Sequence, residues 1–427
     1  MREAEPAKVG RVIIVGNEVT KDRVIRRVLG LYPGQTLRYP ELRIAERDLA
    51  RLGIFDIGPE TRPSLTVLET DSEYKDILVQ VKETPTGSLM FGAGINSDAG
   101  FVGSVVLNEK NFDLFRFPQS FSEIFEGKAF RGAGQELRIE AIPGTELQRY
   151  TISFREPFLF DRPISFTDSV YYYDRIYPED KETRVGGRIG LTKQITKEWA
   201  VGVSARAENV KIGNLLFGAP PAYTDVFGNN FIAGPRVSLT YDTRDSFMRP
   251  TEGGLMEFSY EQMFGDFTFP ILNFEGSRYF TTYQRADGSG KHVLAARTQV
   301  AWCGDETPVF ERFYAGGFRS LRGFQFRGAN PFVNGYAVGG QFLFLNSLEY
   351  QVPILANDQL YAVAFIDSGT VESKVDLSNY RVSAGVGLRI SVPMLGPVPI
   401  ALDFGFPIVR APDDKTQVFS FWVGMFR

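Results

Sequence analysis

The chain predicts a small α/β unit followed by a sixteen-stranded antiparallel transmembrane β-barrel. Three observations carry this expectation. Residues 1–85 mix β-branched runs with apolar residues at helical spacing. From residue 86 to 427, apolar and polar residues alternate with period two, segment after segment. Several of those segments run 10 to 14 residues. Soluble strands average about five or six residues, whereas tilted membrane strands need about 9–11.

Composition narrows the function classes. With 47 basic and 51 acidic side chains, charge gives no support to nucleic-acid binding. One Cys (Cys303) forms no internal disulfide, and with one His (His292) it cannot build a His/Cys zinc site. The 37 Phe, 18 Tyr and 43 Gly suit many strands with an apolar outer face and tight turns. No run reaches the roughly 18 apolar residues of a spanning helix. Met1 is followed by Arg2-Glu3-Ala4-Glu5-Pro6 and not by an apolar leader. The chain therefore reads as soluble or as a barrel lacking its signal peptide, and periodicity decides for the barrel.

The α/β unit reads in the order β-α-α-β-β. Val12 to Val15 is a β-branched run, and Gly16-Asn17 turns the chain. Thr20 is a candidate cap for a helix carrying Val24, Ile25, Val28 and Leu29. Pro33-Gly34 breaks that pattern. Pro40 suits a first helical turn, Leu42, Ala45, Leu49 and Leu52 line one face, and Gly53 suits the C′ position. Strands follow near Leu65–Leu68 and Ile77–Val81, and Thr84-Pro85-Thr86 marks the boundary.

The barrel strands are predicted to start near Gly87, Phe101, Gln135, Gln148, Ile164, Glu182, Trp199, Phe231, Gly253, Phe269, His292, Gly339, Gln359, Arg381, Pro399 and Gln417. An even count fits a single-chain outer-membrane barrel. In the Arg381 strand, Val382, Ala384, Val386, Leu388, Ile390 and Val392 form one apolar face. Arg381, Ser383, Gly385, Gly387, Arg389 and Ser391 form the other. Bilayer physics turns this pattern into a cylinder, because every backbone amide in hydrocarbon needs a partner and a closed sheet has no edge. Tyr171-Tyr172-Tyr173 and Trp199 suit interfacial girdles or loop packing. A long connection, 304–338, interrupts the pattern and carries Gly316-Gly317-Phe318-Arg319-Ser320-Leu321-Arg322-Gly323-Phe324. Loops of that length inside a compact domain are usually functional or disordered, and its Phe and Leu argue for a folded one.

The first unit, through Gly16-Asn17, Thr20, Val24-Ile25-Arg26-Arg27, Pro33-Gly34 and Leu49 to Phe55, resembles a POTRA domain. The barrel resembles that of the BamA-like outer-membrane assembly family, a POTRA-plus-barrel superfamily. Asp242-Thr243-Arg244-Asp245 with Pro250-Thr251 and Gly253-Gly254 is similar to its mid-barrel signature. Leu321-Arg322-Gly323-Phe324 is similar to its sixth-loop motif, with Leu where Val or Ile is usual. Phe365-Ile366-Asp367-Ser368-Gly369 is similar to a motif two strands later, and Gly385 to Pro393 with Gly396-Pro397 to the next. The end, Phe419 to Arg427, resembles the terminal β-signal, except that Arg427 follows Phe426 where an aromatic is usually last.

The resemblance implies an outer-membrane insertase that folds barrel precursors without ATP or cofactor. It implies as partners unfolded outer-membrane proteins, membrane lipids and periplasmic accessory proteins or lipoproteins, with the POTRA domain in the periplasm. It also implies that Arg322 reaches into the lumen to meet Glu349 and Asp367. Alternation supports Glu349, because Phe342, Phe344, Leu348 and Tyr350 share the opposite face. Strict parity groups Asp367 with Tyr361, Val363 and Phe365, which requires either a bulge or lumenal aromatics. Gly92 and Gly94 on the first strand and Gly424 with Phe426 on the last read as a weak seam that opens sideways, or as glycine relieving curvature. A polypeptide-secretion pore of the two-partner type shares this plan and is the alternative. Family assembly proteins generally carry several POTRA units, so the single unit here reads as an N-terminal truncation. An enzyme is not expected: His292 is the only imidazole, no serine signature lies near it, and no metal site is in view.

Overall fold

The computed structural model describes residues 7–423 except 71, 121, 124–126, 128, 248, 356–358 and 392–398. By compactness the chain divides into two units. One holds residues up to Leu89 with Val106–Ile139 and Ser153–Phe166, and the other holds Met90–Val105, Glu140–Ile152 and Thr167–Arg427.

The first elements are β1 (Lys8–Val15), α1 (Asp22–Leu29), α2 (Tyr39–Arg51), β2 (Ser64–Leu68) and β3 (Tyr74–Gln80). The sheet order is β1-β3-β2, with β1 parallel and β2 antiparallel to β3. Val24, Ile25 and Leu29 of α1 and Leu42, Ala45 and Leu49 of α2 bury against Val9, Ile77 and Val79. These are the apolar positions that 3.6-residue spacing puts on one face. Thr20 is not the cap. Lys21 holds that position without a side-chain bond, and the Thr20 hydroxyl accepts a 2.9 Å hydrogen bond from Asn111 Nδ2. Asp22 in the first turn complements the helix dipole instead. Pro40 lies in the first turn of α2, and Gly53 follows that helix at φ 65°.

Sixteen antiparallel strands close the barrel. They are β4 (Gly87–Asn96), β5 (Gly100–Phe112), β6 (Gln135–Ile142), β7 (Leu147–Glu156), β8 (Ile164–Ile176), β9 (Lys181–Gln194), β10 (Trp199–Gly213) and β11 (Gly228–Asp242). They continue with β12 (Gly253–Gly265), β13 (Phe269–Tyr283) and β14 (His292–Cys303). The long loop then carries the two-residue strands β15 (Gly323–Phe324), β16 (Phe332–Val333) and β17 (Tyr336–Ala337). The wall resumes with β18 (Phe342–Pro353), β19 (Leu360–Glu372), β20 (Arg381–Ser391) and β21 (Pro399–Val409). β22 (Thr416–Gln417) lies in the last loop, and β23 (Phe419–Val423) completes the circle against β4.

Alternation sorts the two faces as expected. Val203, Val237, Leu239 and Phe258 project outward and are exposed, while Glu208, Glu261, Asp367 and Asp403 are buried inside. All sixteen wall strands start at or within three residues of the predicted positions. The strand expected at Gly339 starts at Phe342, so the loop extends to 341. Gly339 adopts φ 63°, and Gly340 bridges Phe313 within the loop.

Leu49 is fully buried. Leu49→Ala is expected to lower the opening free energy of the α1–α2 layer by about 2–5 kcal/mol. Hydrogen exchange over Tyr39–Arg51 should quicken while exchange in β10–β14 stays unchanged.

Candidate functional site

The sixth loop of the barrel folds back into the lumen and presents Arg322 to the wall. Leu321 is 0% exposed, Arg322 7% and Phe324 2%, so the tip is buried as deeply as a protein core. Gly323 sits at φ 92°, a conformation that strains any L side chain. Gly323 and Phe324 pair antiparallel with Gln417 and Thr416 of β22. Leu321 and Phe324 pack with Ala315, Ala329, Leu343 and Val371.

The guanidinium is fully engaged. Nε and Nη2 of Arg322 donate to Oδ2 and Oδ1 of Asp367 at 2.7 and 2.8 Å, a two-pronged fork. Nη1 donates to Glu349 Oε2 at 2.6 Å, and the Arg322 amide donates to Asp367 Oδ2 at 3.2 Å. Ser347 steadies the acid by donating to Asp367 Oδ1 at 2.6 Å. The guanidinium carbon lies 3.5 Å from the centre of the Phe365 ring. Burial works against the charged guanidinium, but Asp367 and Glu349 outweigh it and hold its pKa above the ordinary value.

Parity around Asp367 now has its reason. β18 and β19 pair without a bulge from Phe342↔Glu372 to Pro353↔Tyr361. Val363 and Phe365 do face inward, and Phe365 is the platform on which the guanidinium lies. Glycine makes room for it: a Cβ on Gly385 would collide with the Phe365 ring. A Cβ on Gly405 would come 2.7 Å from the Gly323 nitrogen. Arg389 extends the network, 3.5 Å from Glu349 and 2.7 Å from Asp403.

A second anchor escaped the sequence reading. Glu311, at the entry of the loop, takes Arg184 Nη1 and Arg206 Nη2 at 2.6 Å each. At the exit, Arg327 lies between the rings of Tyr177 and Tyr314, 3.6 and 3.9 Å from their centres. Glu311 and its arginines are more than a hundred residues apart, and no local pattern could join them. Of the seam residues, Gly92 and Gly94 share one face of β4. The described register between the end strands is Trp422↔Asn96 and Val423↔Ile95. Gly424 and Phe426 lie outside the described residues. His292 sits between Tyr283 and Tyr350 at one end of the barrel, and Cys303 is buried.

The turn between β8 and β9 carries a pH-sensitive group. Burial pushes the Asp180 carboxyl up to about 7; Arg327 opposes the rise, and Glu182 and Glu179 add to it. The folded protein therefore holds this proton more tightly than the unfolded chain does. The stabilisation is complete below the ordinary value of 3.8 and is lost as pH rises through about 7. Amide exchange at 177–180, corrected for intrinsic rates, should accelerate across that window, and Asp180→Asn should flatten the trend.

An Omp85 superfamily domain matches residues 129–426, and the POTRA family described as surface antigen variable number repeat matches 7–84. The chain is 26% identical, over its whole length, to 52% of the outer membrane protein assembly factor BamA of Nitratidesulfovibrio vulgaris. It is 24% identical, over 97% of its length, to 54% of the BamA of Neorickettsia risticii. The chain thus spans about half the length of these curated relatives. BamA from Haemophilus ducreyi lacking POTRA domains 1–3 has the same fold, with a TM-score of 0.78 at 20% identity, covering 98% of this chain and 84% of that one. CdiB from Acinetobacter baumannii is more distant, at 0.63 and 12%, covering 98% and 74%. The chain belongs to the Omp85 superfamily.

Proposed function

We propose that this chain folds and inserts β-barrel precursors into an outer membrane. It does so without ATP, through the junction of β4 with β23. In this reading residues 1–85 are a periplasmic POTRA domain, and residues 86–427 are the barrel with its inward loop 304–338. Its partners are unfolded outer-membrane proteins, lipids and periplasmic accessory proteins. The observation that carries the reading is the Arg322 clamp on Glu349 and Asp367. The clamp ties an inward loop to one side of the wall and leaves the end strands outside that tie. An assembly machine needs a wall that stays rigid on the loop side while the end strands accept a guest. The BamA names of the aligned relatives support the same reading.

The chemistry asked of the protein is templating. An exposed strand edge offers backbone donors and acceptors to an incoming strand, and side-chain pockets set the register. No covalent step is involved, so no acid, base or metal is needed.

Reconstitution of the chain in vesicles with an unfolded barrel substrate tests the proposal. Substrate that becomes membrane-embedded and heat-modifiable supports insertion. Substrate released intact into the vesicle interior would instead indicate a secretion pore. Two perturbations sharpen the test. Ile95→Cys with Val423→Cys, which are register partners, should stop insertion when oxidised and restore it on reduction. Arg322→Ala leaves Asp367 without its cation and Glu349 with Arg389 alone, a loss of about 3–5 kcal/mol for a broken buried pair. Exchange at Leu321–Phe324 should quicken and insertion should fall. Gly405→Val should displace the tip with every charge intact, so matching losses would tie the defect to loop position.

A further inference from the structure

The outer wall carries a groove that the clamp does not explain. It has a volume of about 510 Å³ and crosses from the end of β11 over β12, β13, β14 and β18 to β19. That lies within the roughly 300–1,000 Å³ typical of ligand sites. Its floor follows one register row, Met256–Gly276–Thr298–Asn346–Ser368. The row faces outward, because Glu349 and Asp367, at the opposite parity of β18 and β19, hold Arg322 inside. Gly276 and Thr298 are small beside Met256, Phe274, Leu348 and Ile366, so the wall is dented there. The polar atoms of the upper floor are paired among themselves: Thr298 donates to Asn346 at 2.8 Å, and Tyr380 donates to Ser368 at 3.0 Å. The lower end differs. Arg278, two residues from Gly276 on the same face, is exposed, and among the described residues it has no carboxylate partner. Its guanidinium meets only the Phe280 ring, at 5.4 Å. The aromatic rim of Tyr283, His292 and Tyr350 lies just beyond.

We propose that this groove binds a phospholipid of the periplasmic leaflet, with one acyl chain over Gly276 and the phosphate on Arg278. The inference rests on the outer-membrane reading above. In a bilayer a dent in the apolar belt is filled by hydrocarbon, because water gains no partners there. An unpaired arginine on the lipid face costs up to about 2–4 kcal/mol at the midplane and less towards the interface. Its flexible stem lets the guanidinium reach down towards the aromatic rim, where headgroups lie. A phosphate accepts two parallel bonds from a guanidinium, which fixes the headgroup end of the ligand. The groove and the cation lie on adjacent register rows, Met256–Gly276 and Gly254–Arg278. One amphipathic molecule therefore satisfies both.

Photo-crosslinking tests this with the whole chain in vesicles containing a phospholipid whose acyl chain carries a diazirine. Adducts should concentrate on peptides that hold Met256, Gly276 and Leu348. Gly276→Leu, which fills the dent, should reduce them about tenfold. Arg278→Gln should reduce lipid retention in gentle detergent by about tenfold, the size of one charge-assisted bond. Both variants should still float with the vesicles. Adducts spread evenly around the barrel, unchanged labelling of Gly276→Leu, or a chain-to-chain crosslink through this face would each overturn the groove proposal while leaving the membrane reading intact. A wild-type chain that does not float would overturn the membrane reading, and the groove proposal with it.

Discussion

A guanidinium buried in the barrel lumen is the constraint on which the rest of the site depends. An isolated charge in that setting costs several kcal/mol, so Arg322 can be there only if its partners are fixed in advance. They are. Glu349 and Asp367 stand on adjacent strands in a bulge-free register, and Ser347 orients one of them. The loop does not shape this receptor; the hydrogen-bonded wall does. What the loop contributes is a tip narrow enough to reach it, which explains Gly323 at φ 92° and the apolar packing of Leu321 and Phe324.

Two anchors of opposite polarity hold the loop. At the tip the loop supplies the cation and the wall the carboxylates. At the entry the loop supplies Glu311 and the wall Arg184 and Arg206. A loop displaced far enough to lose one anchor would leave charge uncompensated at both places. Such an arrangement specifies position more than it adds stability, because buried ion pairs roughly break even against apolar replacements. Residues Gly385 and Gly405 belong to the same logic. They keep the facing strands low, so that the Phe365 ring and the loop backbone fit between wall and tip.

Much of this was legible in the sequence, for a physical reason: a period-two pattern reports which way each strand residue points. Glu349 declared itself lumenal because its neighbours Leu348 and Tyr350 are apolar. Asp367 was harder to read. Phe365 and Val363 share its face and mimic a lipid-facing stripe, when Phe365 is in fact the surface on which the guanidinium lies. Glu311 and Arg327 gave no signal, because the partners of Glu311 come from distant strands, the rings around Arg327 come from a far turn and from the loop itself, and alternation says nothing about a loop. Thr20 has the chemistry of a cap but is spent on Asn111, a contact that no local motif encodes.

Sidedness joins the inner and outer halves of the structure. A slip of one residue in the β18–β19 pairing would reverse one strand against the other. Either Glu349 or Asp367 would then meet hydrocarbon, Arg322 would lose that partner, and the row Thr298–Asn346–Ser368 would break. The register that seats the barrel in a bilayer is therefore the register that assembles the clamp. A lipid in the groove would lie over β13 and reach, through Asn346 and Ser368, the outer face of β18 and β19, whose inner face holds Arg322. Whatever stiffens that wall from outside also keeps the two carboxylates where the guanidinium needs them. In strand order only β20 and β21 separate the clamp from β23, and Arg389, Asp403 and Gly405 on those strands touch the same network, so the braced stretch of wall runs up to the strand beside β23.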